Sequence, residues 1–466
     1  MRKNQFKSVM NVNNPADEGQ QHSLNRRDFL QYVALAGTGV FLSPLTNVSA
    51  QESSDPEPLN IGMIGVGAQG QVLMNDILKL PNIRFKAVCD IWEDYNLRRA
   101  YRLLQKYGHE LNAYVDYREM LAQESSELDA VIIASPDFWH ARHAIDSLEA
   151  GLHVYCEKEM SNRLPDARRM VEAARRTGKL LQIGHQRRSN PRYRHCYEHL
   201  MKDAQLFGRI TAVNGQWNRA VRPDRGWPKK AAIEPKTLQK YGYESMHQFR
   251  NWRWFRGLGG GPIVDLGSHQ IDIFNWFLDA VPFSVMAQGA TYYYEENTHE
   301  WYDIVRALYE YDTEHGPLQA HYQVITTNSN QGYYETFMGD EGTLLISEAN
   351  YRSGIYPEPK APEWEKWVNR GYITAPEEPA DSGQGGGVTD VRETPQPPKY
   401  TLPVDLKEPY HTPHLRNFFN AIRGTDTLNC PPEIGYETAV TVLKVNEAVE
   451  AQKKLTFQPE DFHVAV

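Results

Sequence analysis

From Leu59 onward, short apolar runs alternate with longer stretches whose apolar residues return every three to four positions. LNIGMI (59–64) leads into a helical pattern, and FKAVCD (85–90) into another. The alternation continues through LDAVIIASPDFWH (128–140), helical ARHAIDSLEAG, LHVYCEKE (152–159), helical PDARRMVEAARRTG and KLLQIGHQRR (179–188). Apolar strands interleaved with amphipathic helices predict a parallel sheet covered on both faces. From about Gly208 the texture changes to GRITAVNGQWNRA, FSVMAQGATYYYEE, IVRALYEYD, LQAHYQVITT and GTLLISEA, strands with few helices between them, which predicts a mainly antiparallel sheet. Residues 352–400, rich in Pro, Gly and acids, read as a surface insertion, and HLRNFFNAIRG and PEIGYETAVTVLKVNEAVEAQ as closing helices that pack back.

The first fifty residues do not follow this pattern. Arg26-Arg27 precede an apolar run, Tyr32–Leu45, too short to span a bilayer, and a small-residue cleavage pattern, Val48-Ser49-Ala50, follows. The paired arginines resemble a twin-arginine export signal, which implies a periplasmic protein that folds before it crosses and has no membrane insertion after cleavage. Without residues 1–50 the chain has 45 basic and 56 acidic residues, so neither nucleic acid nor an anionic membrane is an expected partner. At 466 residues, 41 % hydrophobic and 23 % charged, it is long enough for two domains and too apolar for disorder. Cys89, Cys156, Cys196 and Cys430 show no Cys-x-x-Cys spacing and read as free, buried thiols.

The chemistry begins at the first strand. Gly65, Gly67 and Gly70, with Ala68 and Gln69 between them, stand between a strand and a helix, and a second strand ends on Asp90, twenty residues past Gly70. The first glycine allows a tight turn, the second a close pyrophosphate and the third close helix–strand packing, while Asp90 suits the adenosine ribose and disfavours a 2′-phosphate. NAD is therefore expected rather than NADP. Residues at the carboxyl ends of the later strands face the ligand crevice: Pro136, Asp137, His140, Glu157 and Lys158 on the cofactor side, and His185, Gln186 and Arg187 on the substrate side. The predicted architecture is α/β: a leader over 51–57, a Rossmann domain over 58–187, a substrate and oligomerisation α/β domain with an open, mainly antiparallel sheet over 188–405, and helices over 406–466.

In GGGPIVDLGSHQID (259–272), Pro262 stands near the start of a helix that places Asp265 and His269 one turn apart on one face, with the glycines letting its end approach a ligand. Oxidation of a hydroxyl needs a base titrating near neutrality, which points to His269. Asp265 would bind substrate or orient the imidazole, and Lys158 would hold the reacting oxygen. Asp272, on the same face, suits a supporting role or a structural salt link equally. No metal is expected, although Asp265, His269 and His185 form a conceivable ligand set.

The order of GVGAQG, ASPDFWHARHAIDSLEAGLHVYCEKE and GGGPIVDLGSHQIDIFNWFL resembles the Gfo/Idh/MocA oxidoreductases over nearly the whole mature chain. The family usually has Pro after Glu-Lys, whereas Glu159 follows Lys158 here. The resemblance implies NAD-dependent oxidation of a carbohydrate or cyclitol by a homodimer or homotetramer, and it supports Lys158, Asp265 and His269 as catalytic. Because free NAD is scarce outside the cytoplasm, an exported member must carry its cofactor tightly. The family also includes redox-neutral NAD-dependent glycosidases, an alternative that the DLGSHQID neighbourhood argues against. A non-catalytic sugar or nucleotide sensor would keep the glycine loop but have no need of Lys158 with His269.

Overall fold

The computed structural model describes residues 57–295, 297–376 and 397–465. The export signal read over 1–50 and most of the leader lie outside the described residues, as does the middle of the 352–400 stretch. Six strands, β1 (Leu59–Ile64), β2 (Ile83–Cys89), β3 (Asn112–Tyr114), β4 (Ala130–Ile133), β5 (His153–Cys156) and β6 (Leu181–Ile183), form a parallel sheet in the order β3-β2-β1-β4-β5-β6. Its order reverses between β1 and β4, so a crevice opens there beyond their carboxyl ends. Helices α1 (Ala68–Ile77), α2 (Asp137–Glu149) and α3 (Leu164–Thr177) belong to this layer.

The second sheet has eight strands: β7 (Ile210–Asn218), β8 (Pro282–Ala290), β9 (Ile304–Thr313), β10 (Gly316–Ile325), β11 (Tyr333–Gly339), β12 (Gly342–Ile346), β13 (Gly354–Pro357) and β14 (Leu455–Thr456). Their order is β13-β12-β11-β7-β10-β9-β8-β14, antiparallel throughout except for the β7–β10 pair. Helix α4 (Gly261–Leu278) is buried at nearly every position and lies close against this sheet. A Cβ on Gly215 of β7 would come within 2.7 Å of the Phe274 ring, so glycine sets the helix–sheet distance. No described helix is long and apolar enough to cross a membrane.

Two expectations are corrected. The described part of the 352–400 stretch is not simply a loop laid on the surface: β13 extends the sheet edge, and Ile355, Trp364 and Ile373 are buried in the core. Its prolines and acids mask an apolar set too sparse to show a period. Strand β11 also escaped the reading, because its inward positions alternate Glu335 with Phe337 and so break the apolar pattern.

The closing helices α5 (Thr412–Ile422) and α6 (Pro432–Ala451) do pack back. Leu415, Phe418 and Phe419 of α5 join the core formed by Leu59, Ile61 and Phe85, and Tyr155 meets Phe418 edge-on at 5.9 Å. Phe418→Ala is expected to destabilise the protein by about 3–5 kcal/mol, the usual cost of emptying a closed aromatic site, measured as a fall in thermal or denaturant midpoint.

Candidate active site

A cavity of about 500 Å³ runs along the crevice between the parallel sheet and α4. Of the residues picked out from sequence, Gly65, Gly67, Ala68, Gln69, Asp90, Pro136, Asp137, Glu157, Lys158, Gln186, Asp265 and His269 line it. Gly65 has φ +86° and a Cβ there would meet the Ala134 backbone at 2.7 Å; a Cβ on Gly70 would meet the Gly65 carbonyl oxygen at 2.1 Å. Gly67 stands at the N-terminus of α1 with no atom nearer than 3.6 Å to such a Cβ. The loop therefore keeps a clear approach to unpaired helix N–H groups, which is what a dinucleotide pyrophosphate needs. Asp90 lines the same end, where it also fastens the loop: Oδ2 accepts from Val66 N–H at 3.0 Å and Oδ1 from Trp92 N–H at 2.8 Å. Burial raises its carboxyl to about 6 against the pull of these N–H groups, Asn96 and Arg250.

At the other end, three charged groups converge. Lys158 Nζ donates to the backbone oxygen of Asp265 and lies 3.5 Å from its Oδ1, while Arg253 Nε donates to the same Oδ1 at 3.0 Å. Burial alone would raise the Asp265 carboxyl, but Arg253, Lys158 and Arg219 outweigh it and hold the group well below the usual carboxylate range. Asp265 is therefore a charged anchor for two cations. It does not pair with His269, contrary to the orienting role expected, and two cations on its carboxylate are a poor start for a metal site.

His269 is 9 % exposed, tilts over Trp217 at 5.6 Å, and its Nδ1 has no partner among the described residues. Burial, followed by Lys158, Arg187, His185 and His411, pulls its pKa well below 6.5, so the resting imidazole is neutral rather than poised near neutrality. Asp137 moves oppositely, to about 7, through burial and the Asp265 charge, with Arg253 and Lys158 opposing.

Other expectations are corrected. His140 does not reach the cavity: its ring nitrogens lie 2.7 Å from the carbonyl oxygens of Glu159 and Ser135. His185 is buried behind the site, with both nitrogens unpartnered among the described residues. Arg187 is a fully buried ion-pair centre, joined to Glu335 and, at 3.0 Å, to Glu348; the first of these stands on the unrecognised β11. Asp272 forms the structural link, with Arg188 at 2.8 Å. Gly259, Gly260 and Gly261 do not line the cavity; they admit Trp252, Val264 and Trp301 to the start of α4.

Sequence reasoning missed the cavity's roof. Residues 231–258 return from the second domain over the cavity, where Ile233, Leu238, Tyr241, Tyr243, Met246 and Phe255 share one apolar cluster with Trp92, next to Asp90. Trp92 Nε1 donates to the Ala231 oxygen, Trp139 Nε1 to the Tyr241 oxygen at 3.2 Å, and Lys240 pairs with Asp116 at 3.0 Å. The density of Tyr, Trp and Phe over 227–255 was the available signal, but it has no helix or strand period to place it. Glu159, where the family usually has Pro, is fully buried with Oε1 on the Met160 N–H at 2.7 Å. The Lys158–Glu159 peptide is cis.

Two family models match the chain: the NAD-binding Rossmann fold of an oxidoreductase family (GFO_IDH_MocA) over residues 59–185, and that family's C-terminal alpha/beta domain over 203–457. Among curated proteins, an inositol 2-dehydrogenase of Rubrobacter xylanophilus is 27 % identical over 299 residues, 63 % of this chain and 72 % of that protein. A glycosyl hydrolase family 109 protein of Shewanella putrefaciens is 26 % identical over 178 residues, 34 % of this chain and 38 % of its own length, so the match spans well under half of that relative. Among solved structures, the WlbA dehydrogenase from Bordetella pertussis in complex with NADH and UDP-GlcNAcA has a TM-score of 0.63 at 19 % identity, over 87 % of this chain and 99 % of that one. A levoglucosan dehydrogenase in complex with NADH has a TM-score of 0.62 at 16 % identity, over 86 % and 100 %. At these identities the two structures show a common fold.

Burial raises the Glu159 carboxyl from 4.5 to about 8, with the Met160 N–H opposing, Asp137 adding and Lys158 opposing. The folded chain thus binds this proton more tightly than the unfolded one, and the associated stability, full below the unfolded pKa, is lost as pH rises through about 8. Glu159→Gln keeps the Oε1 acceptor and is expected to gain on the parent by about 1–3 kcal/mol between pH 5 and pH 9, read from thermal midpoints at both.

Proposed function

The chain belongs to the Gfo/Idh/MocA oxidoreductase family, and on that premise we propose that it is an exported, NAD-dependent oxidoreductase of a sugar, glycoside or cyclitol hydroxyl, with carbon-3 of a pyranoside the first position to test. The observation that carries the reading is that Lys158, from the parallel sheet, and His269, from α4, line one cavity with the glycine loop. Gly65, Gly67, Gly70 and Asp90 are the residues that would hold NAD, which when bound supplies a hydride acceptor.

The chain's own groups handle the proton and the charge. Being neutral at pH 7, His269 is ready to accept the hydroxyl proton. Lys158, tethered to the Asp265 backbone oxygen, presents an ammonium donor where negative charge builds on the substrate oxygen. Asp265, kept ionised between Lys158 and Arg253, fixes both cations. On the opposite wall Gln186 donates to Glu348 at 3.1 Å, and Glu348 lines the cavity as an acceptor for sugar hydroxyls.

The roof over 231–258 supports a retained cofactor, since release requires parting a buried aromatic cluster. The exposed Phe283 and Met286 on β8 support association through the outer face of the second sheet as a homodimer or homotetramer. The short match to glycosyl hydrolase family 109 proteins favours one alternative, redox-neutral cleavage of a glycoside.

Purified protein given an aryl glycoside separates these readings: a keto-glycoside in proportion to cofactor reduced supports the oxidoreductase, and free sugar with no net reduction supports the glycosidase. Lys158→Ala and His269→Ala are each expected to lower turnover by about 10²–10⁴-fold with bound NAD unchanged by native mass spectrometry. The acid limb of kcat/KM is expected below pH 6.5, because the His269 pKa is depressed and the base stays unprotonated as pH falls through that value. Native mass spectrometry is also expected to find NAD on the freshly purified parent and less on Trp92→Ala.

A further inference from the structure

The segment leaving β7 carries three arginines, of which Arg225 lines the cavity and Arg219 feels the charges of Asp265, Arg222 and Arg253, and none of them makes an ion pair among the described residues. Arg225 lines the cavity, and Asn251 clamps its backbone in both directions, its Oδ1 accepting from Arg225 N–H at 2.8 Å and its Nδ2 donating to Arg225 O at 3.3 Å. Arg219 stands two residues past Trp217, which lines the cavity, and its Nε is buried with no acceptor among the described residues. Arg222 follows, its backbone N–H on Tyr294 Oη at 3.3 Å.

None of the nearby carboxylates pairs with these arginines among the described residues. Asp265 serves Lys158 and Arg253, Asp224 faces His247 at 2.6 Å, Glu348 serves Arg187 and Gln186, and Glu157 accepts from Gln69 at 3.1 Å. Burial, with Arg222 and Arg253 repelling and Asp265 only partly offsetting them, lowers the Arg219 pKa, whereas Arg225 is solvent-exposed at the cavity among the like charges of Arg222, Arg250 and Arg253. A guanidinium N–H buried without an acceptor is costly, and clustered like charges add to that cost, so the arrangement is short of one anion. Arg219 is charge-coupled to Asp265 rather than to Asp90, which places it toward Lys158 rather than toward the glycine loop.

We propose that the substrate is an anionic sugar, bearing a carboxylate, sulfate or phosphate group that Arg219 and Arg225 hold while the hydroxyl to be oxidised meets Lys158 and His269. This rests on the oxidoreductase reading above and narrows it. Bidentate guanidinium contacts to a planar or tetrahedral oxyanion are strong and directional, and at a partly open cavity mouth they weaken as salt is added.

The test titrates the purified protein with glucose, glucuronate, glucose 6-sulfate and glucose 6-phosphate, reading tryptophan fluorescence from Trp217 and Trp252 at the cavity, and measures turnover of each. At least one anionic sugar is expected to bind about tenfold or more tighter than glucose, and Arg219→Gln/Arg225→Gln to erase that preference through KM rather than kcat. Which of the three binds distinguishes carboxylate from sulfate from phosphate. Equal binding of glucose and all three anions, no binding by any anion, or a preference that survives in the double variant overturns the proposal. If the preference exists and is lost in the variant but no sugar is oxidised, the anion pocket stands and the oxidoreductase reading falls. Oxidation of neutral sugars without an anion preference gives the reverse.

Discussion

The site depends on a charge bridge between two separately built layers, in which an ammonium on the β5 side of the parallel sheet ends on the Asp265 residue of α4, and Arg253 closes on the same carboxylate. Lys158 and Asp265 are largely withdrawn from water and Arg253 partly so, so the pairs must offset a desolvation cost, and removal of one partner leaves a buried charge uncompensated. That asymmetry makes the bridge a positioning device: it sets where Lys158 points and, through α4, where His269 stands relative to it. A site assembled from two layers needs such a fixed point, because an ångström of slip between them misplaces proton acceptor and donor together.

The same bridge shapes the electrostatics. Lys158 and Arg187 help to keep His269 neutral, whereas the Asp265 charge helps to keep the Asp137 proton on. Neighbouring groups are thereby driven apart in protonation state, a pattern common where proton transfer is required. The depressed imidazole differs from the near-neutral base that a bare Asp-x-x-x-His spacing suggests, since spacing carries no information about the cations that the fold gathers around the ring.

How much was legible follows from where periodicity exists. The strands of the parallel sheet and the glycine loop are regular, and the positions that must face a crevice follow from where those strands end. Lys158, Asp265 and His269 could therefore be picked out before any coordinates. Strand β11 was lost because Glu335 occupies an inward position, and Arg187 was misplaced for the same reason, since its partner could not be seen. The aromatic roof and Arg253 stand on helical pieces too short to show a period, where tertiary contact with Trp92 and Asp265 gives the side chains their places. His185 sits just past the end of β6 but turns into the interior, so the strand-end rule located its backbone correctly and its ring wrongly, whereas His140 lies within α2 and was assigned to the crevice from the wrong element.

Helix α5 supplies part of the core that begins at Leu59, while β14, after α6, pairs along β8 at the edge of the other sheet. Both layers are thus finished by segments that lie far along the chain from the strands they complete. Neither layer is therefore built from one continuous stretch of chain. The wiring of the polypeptide thereby ties the integrity of each layer to segments that reach it only after the chain has passed through the other.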